Sequence, residues 1–368
     1  MAAASATPEL TEGRGFATRR TVLAGGLALA ACSREVEADP VGTEPLSGLK
    51  SYAPFPVGAA VRSDLMADPA YASVVRTHFD QVTADWEMKM ESVLREDGSY
   101  DWSRADAVAG FARDNGLDLF GHTLIWNEQR PAFFERLKDN RSAFAREYGR
   151  YIAAVAGRYR GARGWDVVNE PFNWDGSERR GGVWAETLGP AYISLAFEQA
   201  RAADPDAVLF LNDYNLEMPG KRRAFLNLAE TLLKAGVPLG GLGTQTHLDH
   251  QTDPAALEPT FRELASLGLP VHLSELDLTL KDGPGDRRAA LALQARLVGA
   301  AAEAFAAVPE RQRFGVTTWG VRDRDSWLRM TPEKAAEFPN DQPLLLDDGG
   351  RPKPAFAAAV AAWSGDRT

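Results

Sequence analysis

From residue 56 onward the chain alternates, eight times over, a short apolar run with an Ala- and Leu-rich stretch of helical spacing. The apolar runs fall at 56–62, 81–89, 118–126, 164–170, 208–215, 241–248, 271–278 and 313–320. Helical stretches separate them at 67–77, 103–115, 141–159, 185–203, 220–235, 254–267 and 286–307, and one more at 353–363 follows the eighth run. Short strands joined through helices must run parallel, and eight such units predict an α/β fold closed as a (β/α)₈ TIM barrel in a single domain. An open doubly wound sheet is the alternative. It is disfavoured because no Gly-x-Gly-x-x-Gly turn follows the first run and no P-loop is present.

The 54 residues ahead of the barrel read differently. The segment 17–33, ATRRTVLAGGLALAACS, carries paired Arg19 and Arg20, an apolar run from Val22 to Ala31 too short to span a bilayer, and then Cys32, the single cysteine. This order resembles a bacterial twin-arginine export signal joined to a lipoprotein cleavage box. The expected division is an export signal at 1–31, a polar Pro- and Gly-punctuated tether at 32–54, and the barrel at 55–368. Lipidation at Cys32 would anchor the protein to a membrane surface, in the periplasm or on the cell surface. A net charge of −10 argues against nucleic acid as a partner. A monomer is expected.

In a barrel of this type, chemistry gathers where the strands end. Here the ends of seven runs are polar: Lys89, His122 with Trp126, Asn169 with Glu170, Asn212 with Asp213, Gln245 with His247, Glu275 with Asp277, and Trp319. A lone glutamate after a strand is usually a solvated loop residue or a helix cap. Seven strands converging with carboxylates, amides, imidazoles and indoles are harder to explain that way. No His-x-x-x-His or carboxylate-rich ligand spacing is present, so neither a metal nor another cofactor is expected, and the mixture suits a sugar. Glu170 and Glu275 lie three strands apart and would face each other across the barrel mouth, the arrangement glycoside hydrolysis needs. Asp277 shares a strand face with Glu275, and His247 can bridge the two, keeping Glu275 ionised as a nucleophile requires. Glu170 must instead carry a proton. Trp126, Trp319 and Trp327 accompany the polar ends, where an indole can stack on a pyranose.

The segments GHTLIW (121–126), WDVVNEP (165–171), FLNDYN (210–215), GLGTQTHLDH (241–250), HLSELDL (272–278), TTWGVRDRDSW (317–327) and PLLLDDGGRPKPAF (343–356) together resemble family 10 glycoside hydrolases, the retaining endo-β-1,4-xylanases. The resemblance implies Glu170 as acid/base and Glu275 as nucleophile, acting on β-1,4-linked xylan or xylo-oligosaccharides. It implies Lys89, His122, Trp126, Asn169, Gln245, His247, Trp319 and Trp327 as glycone-side contacts or support, with Asn212 and Tyr214 toward the leaving group. Two positions depart from the family pattern. Its Glu-Asn-x-Met-Lys-Trp stands here as Asp85-Trp86-Glu87-Met88-Lys89-Met90, which makes Trp86 a candidate for specificity, and the histidine after the third-strand Trp is Asn127. The alternatives are a barrel glycosidase for another β-glycan or a decorated xylo-oligosaccharide, and a non-catalytic glycan-binding lipoprotein.

Overall fold

The computed structural model describes residues 47–337 and 341–364. The expected export signal and Cys32 lie outside them. Of the expected tether, residues 47–54 are folded onto the barrel: the 3-10 turn Leu49–Tyr52 buries Leu49, and the Leu49 N–H donates to His78 Nδ1 at 3.2 Å. A buried leucine and a bonded backbone hold this stretch down, so the folded domain begins several residues before 55.

Nine strand segments form the sheet: β1 Val57–Val61, β2 Gln81–Ala84, β3 Asp118–Trp126, β4 Gly164–Asn169, β5 Val208–Asp213, β6 Gly241–Thr244, β7 His247–Asp249, β8 Val271–Thr279 and β9 Arg313–Thr318. Every pairing is parallel, and the ring closes where β6 pairs β8 (Leu242 with Val271) and β9 pairs β1 (Val316 with Val57). Eight strands therefore make the barrel. The sixth apolar run is split, because Thr246 adopts a left-handed φ of 60°, and its second half, β7, pairs only with β8 (His247 with Asp277).

Eight main crossover helices surround the barrel: α1 Pro69–His78, α2 Ser103–Asp114, α3 Arg141–Arg158, α4 Tyr192–Ala203, α5 Pro219–Lys234, α6 Leu257–Ala265, α7 Arg287–Ala306 and α8 Pro354–Trp363. Their starts are set by side-chain caps where the sequence supplies them. Asp68, Asn140 and Asp286 accept from the backbone N–H of Ala70, Ala143 and Ala289, satisfying donors that the first turn leaves free. The helix expected over 185–203 is two helices, Gly182–Leu188 and α4, interrupted by Gly189 at φ 71° and Pro190. Helix α7 is long and apolar enough to cross a membrane, yet it buries Leu297, Val298, Ala301 and Phe305, as a core helix does.

The barrel floor is aromatic. Phe120, Phe210 and Phe314 meet edge to face at 4.6–5.7 Å, and His272 sits among them, 4.6 Å from Phe120. The Arg163 guanidinium lies 4.0 Å from the Phe314 ring and donates to Gln81 Oε1 and the Phe314 carbonyl. A Cβ at Gly241 would come within 2.3 Å of the Phe210 ring, so β6 can enter here only as glycine.

Candidate active site

The strand ends converge on a cleft of roughly 340 Å³ at the opposite end of the barrel. Lys89, His122, Trp126, Asn169, Glu170, Tyr214, Gln245, His247, Glu275, Trp319 and Trp327 all line it. The structure thus brings eleven of the side chains singled out from the sequence into one cleft. Asp277 and Asn212 sit beneath it.

Glu170 is the residue after β4 and has a left-handed φ of 54°. Such a backbone is costly for a side-chain-bearing residue and persists only when its surroundings hold it. Here the Glu170 N–H donates to the Asn212 carbonyl at 2.9 Å, and Asn127 Nδ2 donates to the Glu170 carbonyl at 2.9 Å. Asn127, where the family pattern has histidine, thus braces this backbone. The carboxylate is only partly buried and accepts from Gln245 Nε2 at 3.0 Å and, more weakly, from Asn169 Nδ2 at 3.4 Å.

Glu275 is buried at the middle of β8. Oε1 accepts from Asn212 Nδ2 at 2.8 Å, and Oε2 lies 3.3 Å from His247 Nε2. His247 Nδ1 is 2.7 Å from Asp277 Oδ1, and the Trp327 indole N–H donates to Asp277 Oδ2 at 2.8 Å. Burial opposes charge on His247, but Asp277 and Glu275 outweigh it and push its pKa up to about 10. Burial would also raise Glu275. The electrostatic influence of His122, His247 and Lys89, with the His247 hydrogen bond, more than offsets this and holds its pKa below the usual glutamate value.

A second layer steadies the first. His122 Nδ1 lies 2.8 Å from Asp166 Oδ2, and burial lifts Asp166 to about 6 although that hydrogen bond pulls the other way. The His122 ring meets Trp319 edge-on at 5.0 Å. Lys89 Nζ sits 4.9 Å from both the Trp86 and Trp126 rings, and burial lowers its pKa against the pull of Asp85, Glu275 and Glu170. His122, Asp166 and Glu275 come within 4.8 Å of one another, a spacing a cation can use. Here the His122–Asp166 and Asn212–Glu275 hydrogen bonds already occupy that cluster.

Asn212, expected as a contact toward the leaving group, is fully buried. Its Nδ2 donates both to Asn169 Oδ1 at 2.9 Å and to Glu275 Oε1 at 2.8 Å, and its Oδ1 accepts from Ser274 Oγ at 2.8 Å. The interior direction of β5 explains the correction, since residue 212 points into the barrel below the rim that Tyr214 reaches. Trp86, the candidate for specificity, stands apart. It is 41% exposed and lines a separate pocket instead of the cleft.

Sequence reasoning missed one group altogether. Lys221, in the first turn of α5, lies 2.8 Å from Asp213 Oδ1, both side chains fully buried, and its ammonium stands 3.2 Å from the Tyr214 ring. Asp213 also accepts from the backbone N–H groups of Phe172 and Tyr214, tying the loop after Glu170 to the end of β5. Nothing in the helical spacing of α5 marked Lys221. Asp213 was legible as a polar strand end.

Residues 48–362 match the family model described as glycosyl hydrolase family 10. Endo-1,4-beta-xylanase A of Thermotoga maritima is 35% identical over 331 residues, which cover 85% of this chain and 30% of that protein. Endo-1,4-beta-xylanase 3 of Hypocrea jecorina is 34% identical over 306 residues, covering 82% of this chain and 81% of its own. Among solved structures, xylanase B from Clostridium stercorarium F9 superposes with a TM-score of 0.76 at 31% identity, over 86% of this chain and 99% of that one. The barrel, the two carboxylates at its mouth and the match along almost the whole described chain agree: this protein belongs to glycosyl hydrolase family 10.

Proposed function

We propose that the protein hydrolyses internal β-1,4-xylosidic bonds of xylan with retention of configuration, through Glu275 as nucleophile and Glu170 as acid/base. One observation carries the assignment: the two carboxylates have opposite surroundings. Glu275 is buried against His247, with its pKa held low, so it is ionised and ready to attack the anomeric carbon. Glu170 is partly exposed and bonded only through amide donors, as suits a group that exchanges protons with a leaving oxygen and then with water. In the first step the Glu275 carboxylate forms a bond to the anomeric carbon while the glycosidic C–O bond breaks and Glu170 gives its proton to the departing oxygen. In the second, Glu170 takes a proton from water, and the hydroxide formed displaces Glu275.

Glu275→Ala is expected to lower kcat roughly 10⁴-fold or more, and azide is expected to restore turnover with an inverted glycosyl azide as product. A rescued product of retained configuration would reassign the nucleophile. Export and lipidation at Cys32 form part of the same proposal, supported by the order of paired arginines, apolar run and cysteine. Cys32→Ser is expected to move the protein out of the detergent-extractable membrane fraction, and unchanged partitioning would remove the anchor.

A further inference from the structure

Beside the cleft, and sharing no lining residue with it, lies a second pocket of roughly 230 Å³ formed by Arg62, Ser63, Asp64, Trp86, Glu87, Arg104 and Met330. Trp86 links the two, because its ring touches Lys89, which lines the cleft. The apolar part of the pocket is unusually open: Trp86 and Met330 are 41% and 42% exposed, two of the three exposed large hydrophobic side chains among the described residues.

The charges can be followed one by one. Arg62 is spent on Asp64, through Nε to Oδ1 at 3.1 Å and Nη2 to Oδ2 at 2.6 Å. Glu87 is buried, its Oε1 accepting from the Ser63 N–H at 2.6 Å and its Oε2 from the Trp86 N–H at 3.2 Å. Asp101, near the start of α2, is occupied by Arg95 and Ser103. Arg104 alone faces the pocket without a carboxylate partner among the described residues, and it stands in the first turn of α2, where the helix dipole adds to its positive field. A pocket with an aromatic wall and a guanidinium that no carboxylate engages, its Glu87 carboxylate being turned to backbone N–H groups, suits a ring with a C–H face and a carboxylate, which arginine can grip in two-pronged fashion.

We propose that this pocket receives a carboxylate-bearing sugar branch, of the uronic acid class, carried by the main chain that occupies the cleft. The proposal rests on the xylan-cleaving reading of the cleft and adds a preference for acidic decoration on the side of Lys89 and Trp86. It also gives Trp86 a role that a wall residue of the cleft would not have, since its exposed face serves the branch.

The test compares kcat/KM on unbranched xylotetraose with that on xylotetraose bearing one glucuronosyl branch on its non-reducing half. The wild type is expected to favour the branched substrate. Arg104→Gln is expected to lower the branched-to-unbranched ratio about two- to fivefold, the range for an exposed ion pair, and Arg104→Lys to retain part of it. Raising salt to about 0.5 M is expected to erode the wild-type preference and not the variant's. A wild-type ratio at or below one, or a ratio indifferent to Arg104→Gln, overturns the pocket assignment. Free glucuronate is expected to lower the wild-type preference by competing for the pocket and to leave cleavage of the unbranched substrate unchanged. Failure to cleave the unbranched substrate would instead strike at the xylanase reading.

Discussion

Two histidines inside the same barrel have opposite fates. His272, near the start of β8, lies on the aromatic floor, and His247, on β7, pairs with β8 at Asp277, roughly 16 Å further along the strand direction. Burial works against charge on both. At the floor burial prevails: the nearby Arg163 guanidinium adds to it, the pull of Glu275 in the other direction is smaller, and the His272 pKa falls to about 3. At the mouth Asp277 and Glu275 reverse it, and His247 rises to about 10. The difference shows that depth does not decide the charge of a buried imidazole here. Its carboxylate neighbours do, and the strand that carries Glu275 and Asp277 passes from a floor without carboxylates around His272 to a mouth lined with them.

The largest way to break this contrast is Asp277→Asn, which takes from His247 the stronger of its two carboxylates. A fall in kcat of roughly a hundredfold or more is expected, with the His247 titration followed by NMR moving down toward the ordinary histidine range. A kcat within threefold of wild type would mean that Glu275 alone keeps His247 in place.

The second prediction concerns the floor. The folded pKa of His272, about 3, lies below the unfolded value of about 6.5. Between those values the unfolded chain binds the proton that the folded one refuses, so the stability linked to this residue is fully present above pH 6.5 and is lost as pH falls toward 3. His272→Leu removes that penalty along with a buried Nδ1 that has no partner among the described residues. The drop in Tm between pH 7 and pH 4.5 is expected to shrink by roughly 3–6 °C relative to wild type. Parallel pH profiles for the two proteins would show that the acid sensitivity lies elsewhere.

The smallest effect sharpens the mouth. Trp327→Phe keeps an aromatic ring beside His247 but deletes the indole hydrogen bond to Asp277. One such bond is worth about 0.5–1.5 kcal/mol, so kcat is expected to fall about two- to twelvefold without loss of fold. A change confined to KM would place Trp327 in sugar binding alone.

Much of this was legible in the sequence, because the period of the pattern and the polarity of strand ends are local signals. Eight apolar runs became eight barrel strands, and Glu170, Glu275, His247 and Asp277 met as their strand positions required. The second run ended early, at Ala84 rather than 89, because Asp85, Trp86 and Glu87 turn away from the sheet before Lys89 returns to the cleft. Nor could strand spacing show whether Asn212 faced the substrate or lay under it, since both lie along one inward direction. The Lys221–Asp213 pair joins a helix to a neighbouring strand end and leaves no trace in either periodicity.

Asn212 also defines what would have to be moved if this chemistry were rebuilt elsewhere. It reaches Asn169 on β4 and Glu275 on β8 from β5, and it fits only because Gly243 on β6 is bare: a Cβ there would come within 2.3 Å of Asn212 Oδ1. The transplantable unit is therefore not a pair of glutamates at a set separation. It is four strands, one of them contributing no side chain at the position where a bare backbone makes the room.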